Sequence, residues 1–331
     1  MAAGVSPMTA SRVLSGKTRV APAKQRAVER AAKDLGYSVN TIVRAVMSEM
    51  RRRKATSFSG VLGFLNTSYD REAWHALPYN RAFFEGAQQR ASDTGFFMDE
   101  IWVGQPGWTP ERTGKVLRAR GIRGFLIPPG AAEEQFSFDL QGFAMATFGG
   151  QAFNLHIHQV LPDHFHNYAL CYQELKNLGH RRIGIYIPDY DLRTSGDAVL
   201  GGYLSAQWRT PKKDHVPVGC GAVNWQVAEQ SFCAWFHRHK PHAVIADYNQ
   251  VPAWLKKCGV RIPKGVALAH PALGPDVEEW SGVDMRGALQ ASQAVDLVTS
   301  QLLRNERGLP REPQTVIIQG HWVPGKTAES R

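Results

Sequence analysis

Leu175-Lys176-Asn177-Leu178-Gly179-His180-Arg181-Arg182-Ile183-Gly184 joins two kinds of pattern. Before it, Tyr168, Tyr172 and Leu175 recur at the spacing that places side chains on one face of a helix. Within and after it, residues 182–187 form a short apolar run of strand length. A helix followed at once by a strand is the unit of an α/β protein, and the same alternation continues on both sides. Strand-like runs fall at 61–65, 96–103, 124–127, 143–148, 243–246, 266–269 and 316–318. Helical spacing lies between them: Phe83, Phe84, Ala87 and Ala91, then Val116 and Leu117, and later Leu289, Val295, Val298 and Leu302. Such alternation predicts parallel, doubly wound sheets covered by helices on both faces.

The chain has 331 residues and is 43% hydrophobic, enough to bury more than one core. Its charge is uneven. Residues 1–58 hold twelve Lys or Arg against three acids, which leaves 27 basic and 26 acidic residues for the remainder. A small cationic module therefore precedes an almost neutral body, the distribution suited to a polyanionic partner for the first and an uncharged or mixed ligand for the second. Ser6-Pro7 is a good helix start, since the serine oxygen accepts an orphan N–H and proline at the first position forfeits none. A second start at Pro22 leads into Val28, Ala31, Ala32 and Leu35 on one face. From Asn40 the sequence turns basic again, ending in Arg51-Arg52-Arg53-Lys54 as a linker.

Ala3-Gly4-Val5-Ser6-Pro7-Met8-Thr9-Ala10-Ser11-Arg12-Val13-Leu14-Ser15-Gly16, continued by Arg19-Val20, Ala31-Ala32 and Leu35-Gly36-Tyr37, resembles the DNA-binding headpiece of the LacI/GalR family of transcription regulators. The resemblance implies a helix-turn-helix at 1–37, a hinge at 38–58 and a two-lobed, periplasmic-binding-protein-like effector body at 59–331. Its first lobe is expected at about 59–159 and 282–311, its second at about 160–281 and 312–326. On this reading Pro7, Met8 and Arg12 face base edges, while Ser6, Thr9 and Ser11 bond phosphates. Asn40, Arg44 and Val46 resemble the family's hinge helix, which wedges into the minor groove. The implied partners are a pseudo-palindromic double-stranded operator, a second copy of the chain and a small-molecule effector, a sugar or related metabolite. Only three residues precede the Gly4-Val5 turn, so the first helix of the motif is expected from sequence upstream of Met1.

In the body, Phe83-Phe84-Glu85-Gly86-Ala87 fits the helix after the first strand, and Asp163 stands where the family has an effector contact. Other pocket positions have drifted. Val199 replaces an arginine, Tyr248-Asn249 replaces an Asn-Asp pair, and His270-Pro271 occupies the neighbourhood of a further aspartate. Trp74, His75 and Tyr79 are expected in a long loop facing the cleft, where an aromatic ring stacks on a sugar or planar ligand. The ligand candidates are therefore Trp74, Tyr79, Asp163, Tyr248, Asn249 and His270. His156, His158, His164 and His166 alternate like a possible metal set, but no acid or thiolate completes it at typical spacing, so no metal is expected.

Residues 1–8 lack the basic and apolar regions of a secretory leader, and no apolar run approaches the roughly 18 residues that span a bilayer. Cys171, Cys220, Cys233 and Cys258 form no C-x-x-C pair. A cytoplasmic protein with reduced thiols and no membrane partner is expected. The chain has no G-x-G-x-x-G and no G-x-S-x-G, so neither enzyme nor cofactor is expected. The alternative is a small-molecule binding protein or enzyme on the same body without effective DNA binding. If Arg12 reads guanine, Arg12→Ala costs about 1–3 kcal/mol of discrimination at one base pair. Competition binding across single-base operator variants checks this, and an equal loss on every sequence would make Arg12 a phosphate contact.

Overall fold

The computed structural model describes residues 5, 13, 21–34, 60–131, 133–150, 155–222, 224–274 and 279–331. Residues 1–57 and 58–331 are separate compact units. In the first, helix α1 (Pro22–Asp34) starts on the proline read from the sequence, and Val28 is its buried residue among those described. Ser6, Pro7, Met8, Thr9, Ser11, Arg12, Asn40, Arg44 and Val46 lie outside the described residues.

The second unit is built on two six-stranded sheets. The first contains β1 (Gly60–Asn66), β2 (Phe96–Trp102), β3 (Gly124–Ile127), β4 (Ala144–Phe148), β5 (His158–Pro162) and β11 (Thr315–Ile318). Their order is β11-β5-β4-β3-β1-β2, parallel throughout. The second contains β6 (Ile183–Pro188), β7 (Gly219–Gly221), β8 (Ala243–Ala246), β9 (Ala267–Leu273), β10 (Ser281–Asp284) and β12 (His321–Val323). It runs β12-β10-β9-β8-β6-β7, with β12 antiparallel to β10. The helices are α2 (Arg71–Ala76), α3 (Pro78–Asp93), α4 (Pro110–Ala119), α5 (His164–Asn177), α6 (Asp189–Trp208), α7 (Trp225–His239), α8 (Val251–Lys257) and α9 (Gly287–Arg304).

Strand periodicity decides which helices cover which face, because successive side chains point to opposite sides. Leu62 and Phe64 of β1 and Ala144, Ala146 and Phe148 of β4 enter the core under α3 and α9. Leu65, Phe125, Ile127 and Met145 enter the opposite core, with Leu117 of α4. In the second sheet Ile183, Ile185 and Ile187 pack with Tyr168 and Tyr172 of α5, whereas Tyr186 packs with Phe232 of α7 and Trp254 of α8. Each sheet thus has apolar cover on both faces, as the near-continuous apolar strand sequences require. Each large side chain fully buried this way contributes roughly 1.5–3 kcal/mol. At Gly179, φ is +93°, a left-handed conformation that favours glycine, and it turns the chain from the end of α5 towards β6.

The chain passes between the sheets three times, after β5, after β10 and after β11. These passages fall a few residues later than expected from the sequence. Residues 315–318 pair with β5 in the first sheet, and Ser281 to Asp284 pair with β9 in the second. The short strands at 158–162, 219–221, 281–284 and 321–323 carry too few apolar residues to register as strands by pattern.

Helices α3 and α9 touch at Gly86, where an added Cβ would lie 2.3 Å from Ala288 O. Gly86→Ala must push the two helices apart, at a cost of about 1–3 kcal/mol. Urea unfolding followed by far-ultraviolet circular dichroism reads that loss, and an unchanged midpoint would mean the pair separates freely.

Candidate functional site

Both sheets end their strands at one cleft. In doubly wound sheets ligands sit beyond the carboxyl ends of the strands, where the strand order reverses. Those points here are β1 beside β3 and β6 beside β8, and the chain leaving β1 and β8 supplies the two walls. The result is a cavity of about 430 Å³, within the range of small-ligand pockets. Pro78, Tyr79 and Asn80 come from the first turn of α3, Asp247 and Asn249 from the loop after β8, and His270 from β9.

The β1 wall depends on one carboxylate. Glu100 of β2 receives Arg71 Nε and Nη2 at 3.1 and 2.6 Å and Asn66 Nδ2 at 2.8 Å, and it lies 2.7 Å from His75 Nε2. Burial alone would raise this carboxyl, but the hydrogen bonds from Arg71, Asn66 and His75 outweigh it and hold Glu100 below its ordinary value. Asp70 caps α2 by accepting the Ala73 N–H, and Asn80 Nδ2 donates to Trp74 O. The segment expected as a long loop is therefore a short anchored helix that delivers Tyr79 to the cavity. Its Tyr79 ring stands edge-on to Phe83 at 4.4 Å between centroids. Tyr79 Oη and Gln290 Oε1 are buried without a well-formed hydrogen bond among the described residues. Burial, with the Asp247 and Asp284 carboxylates, pushes the Tyr79 phenol well up, so it remains a hydroxyl donor.

On the opposite wall, His270 is held in one tautomer. Its Nδ1 accepts the Ala272 N–H at 3.1 Å, which puts the ring proton on Nε2, 3.3 Å from Asp247 Oδ1. Trp280 covers the ring edge-on at 5.5 Å. Pro271 follows inside β9, where the register with β10 shifts, so its missing N–H falls at an irregularity in the ladder. Burial lowers His270 to about 4. Near neutrality the cavity is thus lined by a neutral imidazole, a carboxylate and amides, a set suited to hydroxyl-bearing ligands.

Of the expected ligand residues, the cavity brings together Tyr79, Asn249 and His270. The other three sit elsewhere. Trp74 is 7% exposed and packs edge-on against Phe64 in the first core. Tyr248 packs on Trp254 and donates its hydroxyl to Ala222 O. Asp163 caps α5 through the His166 N–H, and its second oxygen accepts Gln319 Nε2 at 3.3 Å. Asp247 and Asn80 escaped the sequence reading. Asp247 adjoins the aligned Tyr248-Asn249 pair, and that shift by one residue was the available signal. His158 accepts the Gln314 N–H in β5, and no group of three or more His, Cys, Asp or Glu among the described residues is placed to hold a metal.

Residues 1–40 match the family described as bacterial regulatory proteins, lacI family, and residues 172–328 match a periplasmic binding protein-like domain. The chain is also 28% identical to the HTH-type transcriptional regulator CelR of Thermobifida fusca, over 97% of this chain and 94% of that protein. Among solved structures, the fold is similar to that of a transcriptional regulator CelR–cellobiose complex, with 20% identity, TM-score 0.62 and 98% and 97% of the two chains covered. It is also similar to a lac repressor dimer bound to operator and the anti-inducer ONPF, at 17% identity, TM-score 0.57 and 99% and 96% coverage.

His270 sets a pH dependence. Its folded value lies below the ordinary 6.5, so the unfolded chain takes up the proton first as pH falls. The stabilisation is full above about 6.5 and is lost between there and about 4, by up to roughly 3 kcal/mol. Urea unfolding across that window should give a shallower dependence for His270→Gln than for wild type. Identical slopes would mean that His270 is not buried in its neutral form.

Proposed function

We propose that this chain is a LacI-family regulator that binds a pseudo-palindromic operator as a homodimer and is controlled by a small neutral polyhydroxylated metabolite held between its two lobes. The observation that carries the reading is the cavity itself. Its polar groups come from both lobes, Tyr79 and Asn80 from one and Asp247, Asn249 and His270 from the other. A ligand bonding both sets at once has higher affinity for one relative placement of the lobes, which is the condition for coupling the cavity to another site. The excess of positive charge in residues 1–58 supports a phosphate-binding head, and two-fold symmetry doubles the few base contacts that one short head offers.

Cellobiose is the first ligand to test, because it is the compound in the CelR complex whose fold this chain resembles. Calorimetry with the purified full chain should show binding of cellobiose or another neutral sugar. Asn249→Ala should weaken that binding about tenfold, the effect of losing one or two hydrogen bonds. DNA affinity without ligand should stay unchanged in the same variant. Absence of heat with every neutral sugar tried would overturn the ligand class. A flat dependence of DNA affinity on salt would overturn the electrostatic reading of the head.

A further inference from the structure

The cleft and the head leave one chemically distinctive pair unexplained. Cys233 lies on α7 and Cys258 follows the last turn of α8, and their Sγ atoms are 2.9 Å apart. That is about 1 Å beyond a covalent S–S bond. Both residues are half-buried free thiols. Two further contacts hold the helices together at this point: Lys257 Nζ bonds Glu229 Oε1 at 2.6 Å, and the Phe232 and Trp254 rings lie 5.4 Å apart. Cys171, by contrast, is fully buried with its thiol directed at His270 O, and Cys220 is exposed on β7.

We propose that Cys233 and Cys258 form a reversible intramolecular disulfide, a redox modification site on the second lobe whose oxidant is a hydroperoxide. The peroxide converts one thiol to a sulfenic acid: the O–O bond breaks as S–O forms, the thiol gives up its proton, and the second peroxide oxygen leaves protonated, as water when the oxidant is hydrogen peroxide. The second thiol then attacks that sulfur. The S–S bond forms, the S–O bond breaks, and the hydroxyl departs with the thiol proton as water. Two electrons pass from the sulfurs to the peroxide, and a dithiol reductant reverses the change. Proximity makes the second step intramolecular, so it outruns further oxidation of the sulfenic acid. Burial, and then the hydrogen bond with Cys233, pushes the Cys258 thiol up to about 12, so closure accelerates as pH rises.

The loop closed by this bond runs from 233 to 258 and includes Asp247 and Asn249, so oxidation restrains one wall of the cavity. The test uses the reduced full chain treated with hydrogen peroxide, alkylated and digested for mass spectrometry. The expected product is a peptide pair joined through Cys233 and Cys258, lighter by two hydrogens and separated again by dithiothreitol. Thiol titration of the denatured protein should fall from four to two. Cys233→Ser and Cys258→Ser should each give no linked peptide pair after the same treatment, and the variant that keeps the attacked cysteine should carry it as a sulfenic acid or its further oxidation products. The wild-type peptide map decides the matter even if a variant misfolds. Unlinked peptides carrying sulfinic or sulfonic acids, or links through Cys171 or Cys220, would overturn the proposal.

Discussion

Three passages of chain between the two sheets run close together, and hydrogen bonds tie the first to the third. The Asp163 N–H donates to Ile318 O at 2.9 Å, the Asp163 carboxylate accepts Gln319 Nε2, and Asn167 Oδ1 accepts the Gly320 N–H at 3.0 Å. Everything at the cavity depends on this strap. The walls belong to different sheets, each rigidly packed on both faces, so the freedom between them is confined to the few residues that cross. Asp163, read from the sequence as a ligand contact, fits this setting better as a clamp on the crossing segments.

The cavity's chemistry follows from burial as much as from composition. A histidine beside a carboxylate would ordinarily be drawn towards the charged form. Here the Ala272 N–H occupies one ring nitrogen and burial penalises the cation, so the ring remains a neutral donor to Asp247. The same environment keeps Tyr79 protonated. The imidazole thus joins the amides of Asn80 and Asn249, which both donate and accept, and the balance suits hydroxyl groups better than fully ionised ligands.

The doubly wound body was legible because central parallel strands must be apolar on both faces, and β1, β3, β4, β6 and β8 all carry that mark. The short strands β5, β7, β10 and β12 did not, since each holds only three to five residues with few apolar ones in succession. At the cavity, Tyr79, Asn249 and His270 could be placed from their positions after strands. Trp74 and Tyr248 could not, because a large aromatic beside a cleft has the same sequence signature whether it faces ligand or core. Their orientation was decided by partners distant in sequence, Phe64 for Trp74 and Ala222 O for Tyr248. Asp163 carried the same ambiguity between a capping and a binding carboxylate, and in the fold it caps α5 through the His166 N–H and accepts Gln319 Nε2.

The fork at Glu100 has a consequence for how such a protein changes over generations. Arg71, His75 and Asn66 all take their orientation from one half-buried carboxylate, so replacing Glu100 alone strands a guanidinium, an imidazole and an amide together. These four positions form one inherited unit, in which a tolerated substitution at any member demands compensation by the others. Surface residues of the same short helix carry no such debt. Descendants are free to vary Glu72 or Ala76 while the mount for Tyr79 stays in place, and ligand preference drifts through the cavity residues without disturbing the scaffold beneath them.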